Sequence, residues 1–165
     1  MRIKLVDLQE IDLHYLKEIY DYYTLHTTAL YYLSAVSIDD LKSFIPINNP
    51  LYRSYIISTE TGERCGFCYF SKFNPRPAYD ITVEVTIYLH PDYTRRGYGK
   101  EALSILEKII RKNGFKNIIA LIDSENGSSI KMLEDAAYTQ CAHIKNVAEK
   151  FGRKLDVMFY QKVLF

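Results

Sequence analysis

Residues 88–100 read Tyr-Leu-His-Pro-Asp-Tyr-Thr-Arg-Arg-Gly-Tyr-Gly-Lys. The apolar start is the end of a strand, His90-Pro91 is a turn, and Arg-Arg-Gly-x-Gly opens a helix. A helix N-terminus carries four backbone N–H groups without intrahelical partners, and its dipole favours negative charge. Glycine lets that backbone approach a ligand closely, and the two arginines add charge-assisted hydrogen bonds. The stretch therefore reads as a seat for a phosphate-bearing ligand. It is not a P-loop, because Gly-x-x-x-x-Gly-Lys-Ser/Thr is absent. Nor is it a dinucleotide fingerprint, because it lies mid-chain and lacks the first glycine spacing. The competing reading is a solvated basic turn.

Immediately upstream, residues 81–89 are β-branched and alternate strictly, which predicts a strand. Thr82, Glu84, Thr86 and Tyr88 fall on one face; Val83, Val85, Ile87 and Leu89 fall on the other. Glu84 is thus a carboxylate in mid-strand. A primary amine is mostly ammonium at neutral pH, with a pKa of about 10, and cannot attack until it loses a proton. A carboxylate partly withdrawn from water has a raised pKa and can take that proton, directly or through water. The competing reading is a cross-strand ion pair.

Downstream, the spacing predicts a helix from Gly97 to about Asn113, with Ala102, Leu103, Leu106, Ile109 and Ile110 as its apolar stripe and Asn113-Gly114 as its stop. Residues 117–122 are a continuous apolar run, expected of a strand buried on both faces. A helix is predicted over about 128–136, behind Asn126 as a cap. Strands follow near 138–147 and 155–163. Towards the N-terminus, residues 2–6 form a strand. Ile11, Tyr15, Leu16, Ile19, Tyr20 and Tyr23 sit at helical spacing, Ser37 with Asp40 resembles a capping box, and 52–59 and 64–73 make a hairpin about Thr61-Gly62. Strands and helices in this order predict an α+β fold, a mixed α/β sheet with helices on both faces, as one domain over residues 1–165.

The 165 residues carry a net charge of +1, so no global basic excess points to nucleic acid. No segment has signal-peptide or transmembrane length, and a cytoplasmic protein without membrane contact is expected. Fifteen tyrosines and no tryptophan suit an aromatic-lined pocket or a dimer interface. Cys65 and Cys68 sit in a Cys-x-x-Cys within a predicted strand, where a three-residue offset sends side chains to opposite faces. With Cys141 alone remaining and the four histidines at no metal-ligand spacing, no metal site is expected.

The strand–Arg-Arg-Gly-Tyr-Gly–helix, followed about thirty residues later by Asn126-x-x-Ser129 opening another helix, resembles the GNAT superfamily of acetyl-CoA-dependent N-acetyltransferases. The closer resemblance is to the phosphinothricin N-acetyltransferase branch. It rests on Asp12–Tyr23, on Phe73–Asp80 with its Arg-x-Ala-Tyr, on Thr82–Tyr88 with its glutamate, and on Asp156–Gln161. These segments keep their order along nearly the whole chain.

The resemblance implies a twisted, mostly antiparallel sheet with one splayed parallel strand pair. It implies acetyl-CoA as donor, a small-molecule amine as acceptor, no metal, and direct attack on the thioester. Arg95, Arg96, Gly97, Tyr98, Gly99 and Lys100 are expected to hold the pyrophosphate. The backbone of Ile87, Tyr88 and Leu89 pairs with the pantetheine, and a backbone N–H near Leu89 meets the oxyanion. Asn126 and Ser129 contact the cofactor, and Glu84 is the base. Arg76, Tyr79, Tyr23 and Thr28 are candidates for the acceptor pocket. The acceptor expected is an amino acid or amino-acid analogue, with a polyamine, a protein N-terminus or a non-catalytic acyl-CoA sensor as alternatives. A homodimer is compatible with the resemblance. Three positions depart from it: Thr94 where Gln or Arg is usual, Leu133 where relatives have Tyr or His, and Lys154-Leu155 where the branch has Trp-His. With Leu133 in place, the leaving thiolate needs no enzymic proton, or water or Tyr138 supplies one.

Overall fold

A computed structural model describes residues 2–165. Seven strands, β1 (Ile3–Asp7), β2 (Arg53–Thr59), β3 (Arg64–Lys72), β4 (Thr82–Leu89), β5 (Asn117–Asp123), β6 (Thr139–Lys150) and β7 (Arg153–Val163), form one sheet in the order β1-β2-β3-β4-β5-β7-β6. Every neighbouring pair is antiparallel except β4–β5. Helices α1 (Leu13–His26) and α2 (Ile38–Phe44) cover one face; α3 (Tyr98–Lys112) and α4 (Gly127–Asp135) cover the other.

Two cores follow from the alternation along the strands. Phe67 and Tyr69 of β3 join Leu13, Leu16, Ile19 and Tyr20 of α1 and Leu41 of α2. Cys68, Phe70, Val83 and Val85 join Ala102, Leu103, Leu106 and Ile110 of α3 and Leu133 of α4. Burying one leucine-sized side chain contributes about 1.5–3 kcal/mol, so the apolar stripes of the helices fix the layers. The capping box is present: Ser37 Oγ accepts from Asp40 N at 3.0 Å, and Ser37 N donates to Asp40 Oδ2 at 2.9 Å. The helix expected to include Ile11 starts later. Glu10–Asp12 is a 3-10 turn, and Ile11 is 82% exposed.

Two further expectations are corrected. Cys65 and Cys68 share one core cluster rather than opposite faces. A bulge between Ile57 and Ser58, where Ile57 pairs Gly66 and Ser58 pairs Arg64, leaves Cys65 as the extra residue and resets the alternation. Burial pushes the Cys65 thiol up to about 11 and raises Cys68 as well, so both stay protonated. The C-terminal strands are also longer than expected, because Phe151-Gly152, at φ 53° and 72°, makes a two-residue turn of the hairpin type.

Candidate active site

Among the described residues, strands β4 and β5 pair from Thr82–Asn117 to Glu84–Ile119 and not beyond. Both strands extend further, to Leu89 and Asp123, so their C-terminal halves separate. The predicted burial of β5 on both faces stops there: Leu121 is 39% exposed. Main-chain direction in β4 follows from the ladder to β3. His90 N donates to Cys65 O at 2.9 Å, which turns the even-numbered residues Glu84, Thr86 and Tyr88 towards β3. The N–H and C=O of Ile87 and Leu89 therefore point into the gap. Of the three expected residues, Ile87 and Leu89 offer main chain to a ligand, and Tyr88 offers its side. The Leu89 carbonyl already accepts from Tyr23 Oη at 2.8 Å.

The gap widens into a cleft of about 1120 Å³. One end is the start of α3. Glu101 N is the first to bond within the helix, to Gly97 O, so the N–H groups of Tyr98, Gly99 and Lys100 lack helical partners. Arg95 and Gly97 have φ of 60° and 82°, which curls the loop back against the helix start. Arg2 braces it from outside, with Nε 2.7 Å from Glu101 Oε1 and its guanidinium over the Tyr98 ring. Arg95, Gly97, Gly99 and Lys100 line the cleft, as do Asn126, Ser128 and Ser129 from the start of α4. Asn126 is the cap of α4: its Oδ1 accepts from Ser129 N and Ser128 Oγ, each at 3.2 Å. That leaves its amide NH₂ for the cleft. Clustered N–H groups with Arg95 and Lys100 suit a diphosphate.

The other end holds Glu84, flanked across the strands by Ser71 and Ile119. No basic side chain pairs with it among the described residues. Burial alone raises its pKa above the ordinary carboxylate value. Ser71, Tyr69, Thr86, Tyr20, Tyr32 and Phe44 also line the cleft, as do Ile144, Val147, Val157 and Phe159 of the β6–β7 hairpin. Tyr20 and Tyr69 share a hydroxyl hydrogen bond of 3.1 Å. Tyr23 also lines the cleft, its phenol pushed up to about 12 by burial.

Several expected residues lie elsewhere. Arg96 stacks on the Tyr93 ring, and Tyr98 packs under Arg2; neither is on the cleft wall. Arg76 is exposed at the start of the 3-10 turn Pro77–Tyr79, and Tyr79 packs on Phe73. Thr28 is passed over between Thr27 and Ala29, which do line the cleft. Leu133 is core, and Tyr138 is buried beside Lys162, off the cleft wall, with its hydroxyl unpartnered. Asp123 was not anticipated. Its signal in the sequence is an acid closing an apolar run, three residues before Asn126.

The acetyltransferase (GNAT) family matches residues 16–138. The chain belongs to the GNAT family. Among its relatives is the L-methionine sulfoximine/L-methionine sulfone acetyltransferase of Salmonella typhimurium, 30% identical over 161 residues, covering 98% of this chain and 93% of that one. The L-amino acid N-acyltransferase MnaT of Escherichia coli is 29% identical, covering 87% and 84%. A phosphinothricin acetyltransferase of Sinorhizobium meliloti, solved in complex with AcCoA, superposes with a TM-score of 0.89 at 30% identity, covering 99% of this chain and 89% of that one. The sheet with its parallel pair β4–β5 is the GNAT fold, as the resemblance implied. Among the described residues, no helix is long and apolar enough to cross a membrane.

Proposed function

We propose that this GNAT chain, as one domain over residues 1–165, moves the acetyl group of acetyl-CoA to the amine of an amino acid or amino-acid analogue. One observation carries the reading: the parallel pair parts just beyond Glu84, so unpaired main chain, a desolvated carboxylate and a helix N-terminus share one cleft. The diphosphate sits on the N–H groups of Tyr98, Gly99 and Lys100, with the Arg95 and Lys100 side chains adding charge. The pantetheine pairs with Ile87, and Asn126 and Ser129 meet it from α4. The acceptor enters between the tyrosines of α1 and the β6–β7 hairpin. Its nitrogen attacks the thioester carbon; a C–N bond forms, the C–S bond breaks, and CoA leaves as thiolate. Glu84 receives the amine proton through water.

The relatives' names support an amino-acid acceptor. A cytoplasmic location and assembly as a homodimer belong to the same proposal. The dimer is supported by β6, a twelve-residue edge strand exposed along most of its length. The test follows free thiol release from acetyl-CoA with a panel of amines. Release that depends on an amino-acid acceptor supports the reading; tight acetyl-CoA binding with no release for any amine overturns it.

A further inference from the structure

The first turn of α3 carries an acid of its own. Glu101 follows Tyr98, Gly99 and Lys100 in that turn, about 4.5 Å along the helix axis from Tyr98. A carboxylate at that place is drawn to the free N–H groups of the helix start, the same groups that suit a ligand's phosphates. Glu101 does not go there. Arg2 holds both of its oxygens: the main-chain N–H donates to Oε2 at 2.9 Å, and Nε donates to Oε1 at 2.7 Å. The main-chain bond first, and the guanidinium after it, hold the Glu101 carboxyl below the ordinary carboxylate value. No other basic side chain pairs with Glu101 among the described residues. Arg2 is itself fixed from three sides. Its carbonyl accepts from Glu60 N at 3.2 Å, and its guanidinium lies 5.3 Å from the centre of the Tyr98 ring. Nη2 fills the space beside Gly97, where a Cβ would meet it at 2.8 Å. Neither Arg2 nor Glu101 lines the cleft, whereas Gly97, Gly99 and Lys100 do.

The Glu101 side chain is only 22% exposed, so a charge left there without its partner is poorly screened by water. Resting on the acetyltransferase reading above, we infer that Arg2 is a positioning residue for the donor. It keeps the Glu101 carboxylate away from the N–H groups of Tyr98, Gly99 and Lys100 and cancels its charge, so that the diphosphate of acetyl-CoA meets no internal competitor there. Arg2 lies off the cleft wall and acts through Glu101, not on the ligand. This separates it from Arg96, whose guanidinium rests on the Tyr93 ring and whose loss leaves no acid uncovered. The role concerns the phosphates alone, because the thioester and its arm lie further along the cleft, beside Ile87.

The test compares the full chain unaltered, with Arg2→Ala, with Glu101→Gln, and with both substitutions. Acetyl-CoA affinity is measured by calorimetry at low and high salt. Thiol release is followed with an amine that the unaltered protein acetylates, from acetyl-CoA and from S-acetylpantetheine, which keeps the thioester and its arm and lacks the diphosphate. Arg2→Ala should weaken acetyl-CoA by about fivefold or more at low salt, the effect of one uncovered carboxylate close to two phosphate charges. The loss should shrink at high salt. It should raise the KM for acetyl-CoA and leave kcat within about twofold. Glu101→Gln alone should not weaken acetyl-CoA. The double variant should return to within about twofold of the unaltered protein, a recovery that a merely structural role of Arg2 would not give. Use of S-acetylpantetheine should be the same within about twofold in all four. Unchanged acetyl-CoA affinity in Arg2→Ala, a double variant as weak as Arg2→Ala, or an equal loss with S-acetylpantetheine overturns the assignment. Failure of the unaltered protein to bind acetyl-CoA would instead sink the acetyltransferase reading on which the assignment rests.

Discussion

Glu84 of β4 and Ile119 of β5 are the last residues at which the parallel pair is joined. Everything the cleft offers lies on the C-terminal side of that pair. The carboxylate stands at the point of the wedge, paired with no cation among the described residues, and its partial burial raises its pKa.

Replacing Glu84 with Gln keeps the shape of the side chain and removes the base. Turnover should fall by about 100-fold or more, the usual contribution of a positioned general base. Acetyl-CoA affinity, measured by calorimetry, should not change, because the cofactor contacts lie at the start of α3 and along Ile87. In the unaltered enzyme, kcat/KM should rise with pH on its acid limb through an apparent pKa above the ordinary carboxylate value. An acid limb at or below that value would mean that another group takes the proton.

The same carboxylate should be visible in stability. Its folded pKa is raised, so the fold binds its proton more tightly than the unfolded chain does. The stabilisation from that proton is complete below the unfolded value of about 4.3 and is lost as pH rises through the folded value. Glu84→Gln carries no such charge. Its melting temperature should therefore gain on the unaltered protein as pH rises across that window, then keep a constant lead above it. Parallel melting curves from pH 4 to pH 8 would show that Glu84 is solvated in the fold.

The two adjacent arginines should behave differently. Arg95 lines the cleft, whereas Arg96 lies over the Tyr93 ring at 5.1 Å and is absent from the cleft wall. Arg95→Ala should weaken acetyl-CoA binding by about tenfold or more at low salt, as expected for a lost hydrogen bond to a charged group, with a smaller loss at high salt. Arg96→Ala should stay within about twofold. Equal losses at the two positions would place the diphosphate elsewhere.

Much of this site was legible in the sequence, because its anchors are local. The alternation from Thr82 to Leu89 puts Glu84 and Val85 on opposite faces in any sheet, and Gly97 with Gly99 at a helix start declares open N–H groups without knowledge of the rest. The Ser37–Asp40 box is likewise read from four residues. What depends on distant chain was not legible. Whether Arg76, Tyr79 or Thr28 reaches the cleft is decided by how loops lie over the sheet, and in this chain none of them lines it. The parity of Cys65 and Cys68 was lost to a bulge set by the register with β2. Asp123 went unseen because a terminal strand acid is usually solvated, and only the splay of β4 from β5 makes it part of a buried wall.

Gly66 marks how tightly the sheet is closed behind the cleft. It pairs with Leu89, and a Cβ built there would lie 2.3 Å from the Tyr88 carbonyl oxygen and 2.8 Å from Leu89 Cα. Both neighbours are backbone, so no rotamer change relieves the overlap. Gly66→Ala should cost about 3 kcal/mol or more, the upper end for overpacking, and lower the melting temperature by about 6–12 °C. The strand that must move is the one that presents Leu89 to the cleft, so acetyl-CoA affinity should drop in the same variant. Gly62→Ala is the control. Gly62 has φ of 91° with nothing within 4 Å of a Cβ, so it should lose only about 1–2 kcal/mol to backbone strain and leave the affinity intact. Affinity losses of equal size in the two variants would show that the approach of β3 to β4 does not shape the cleft.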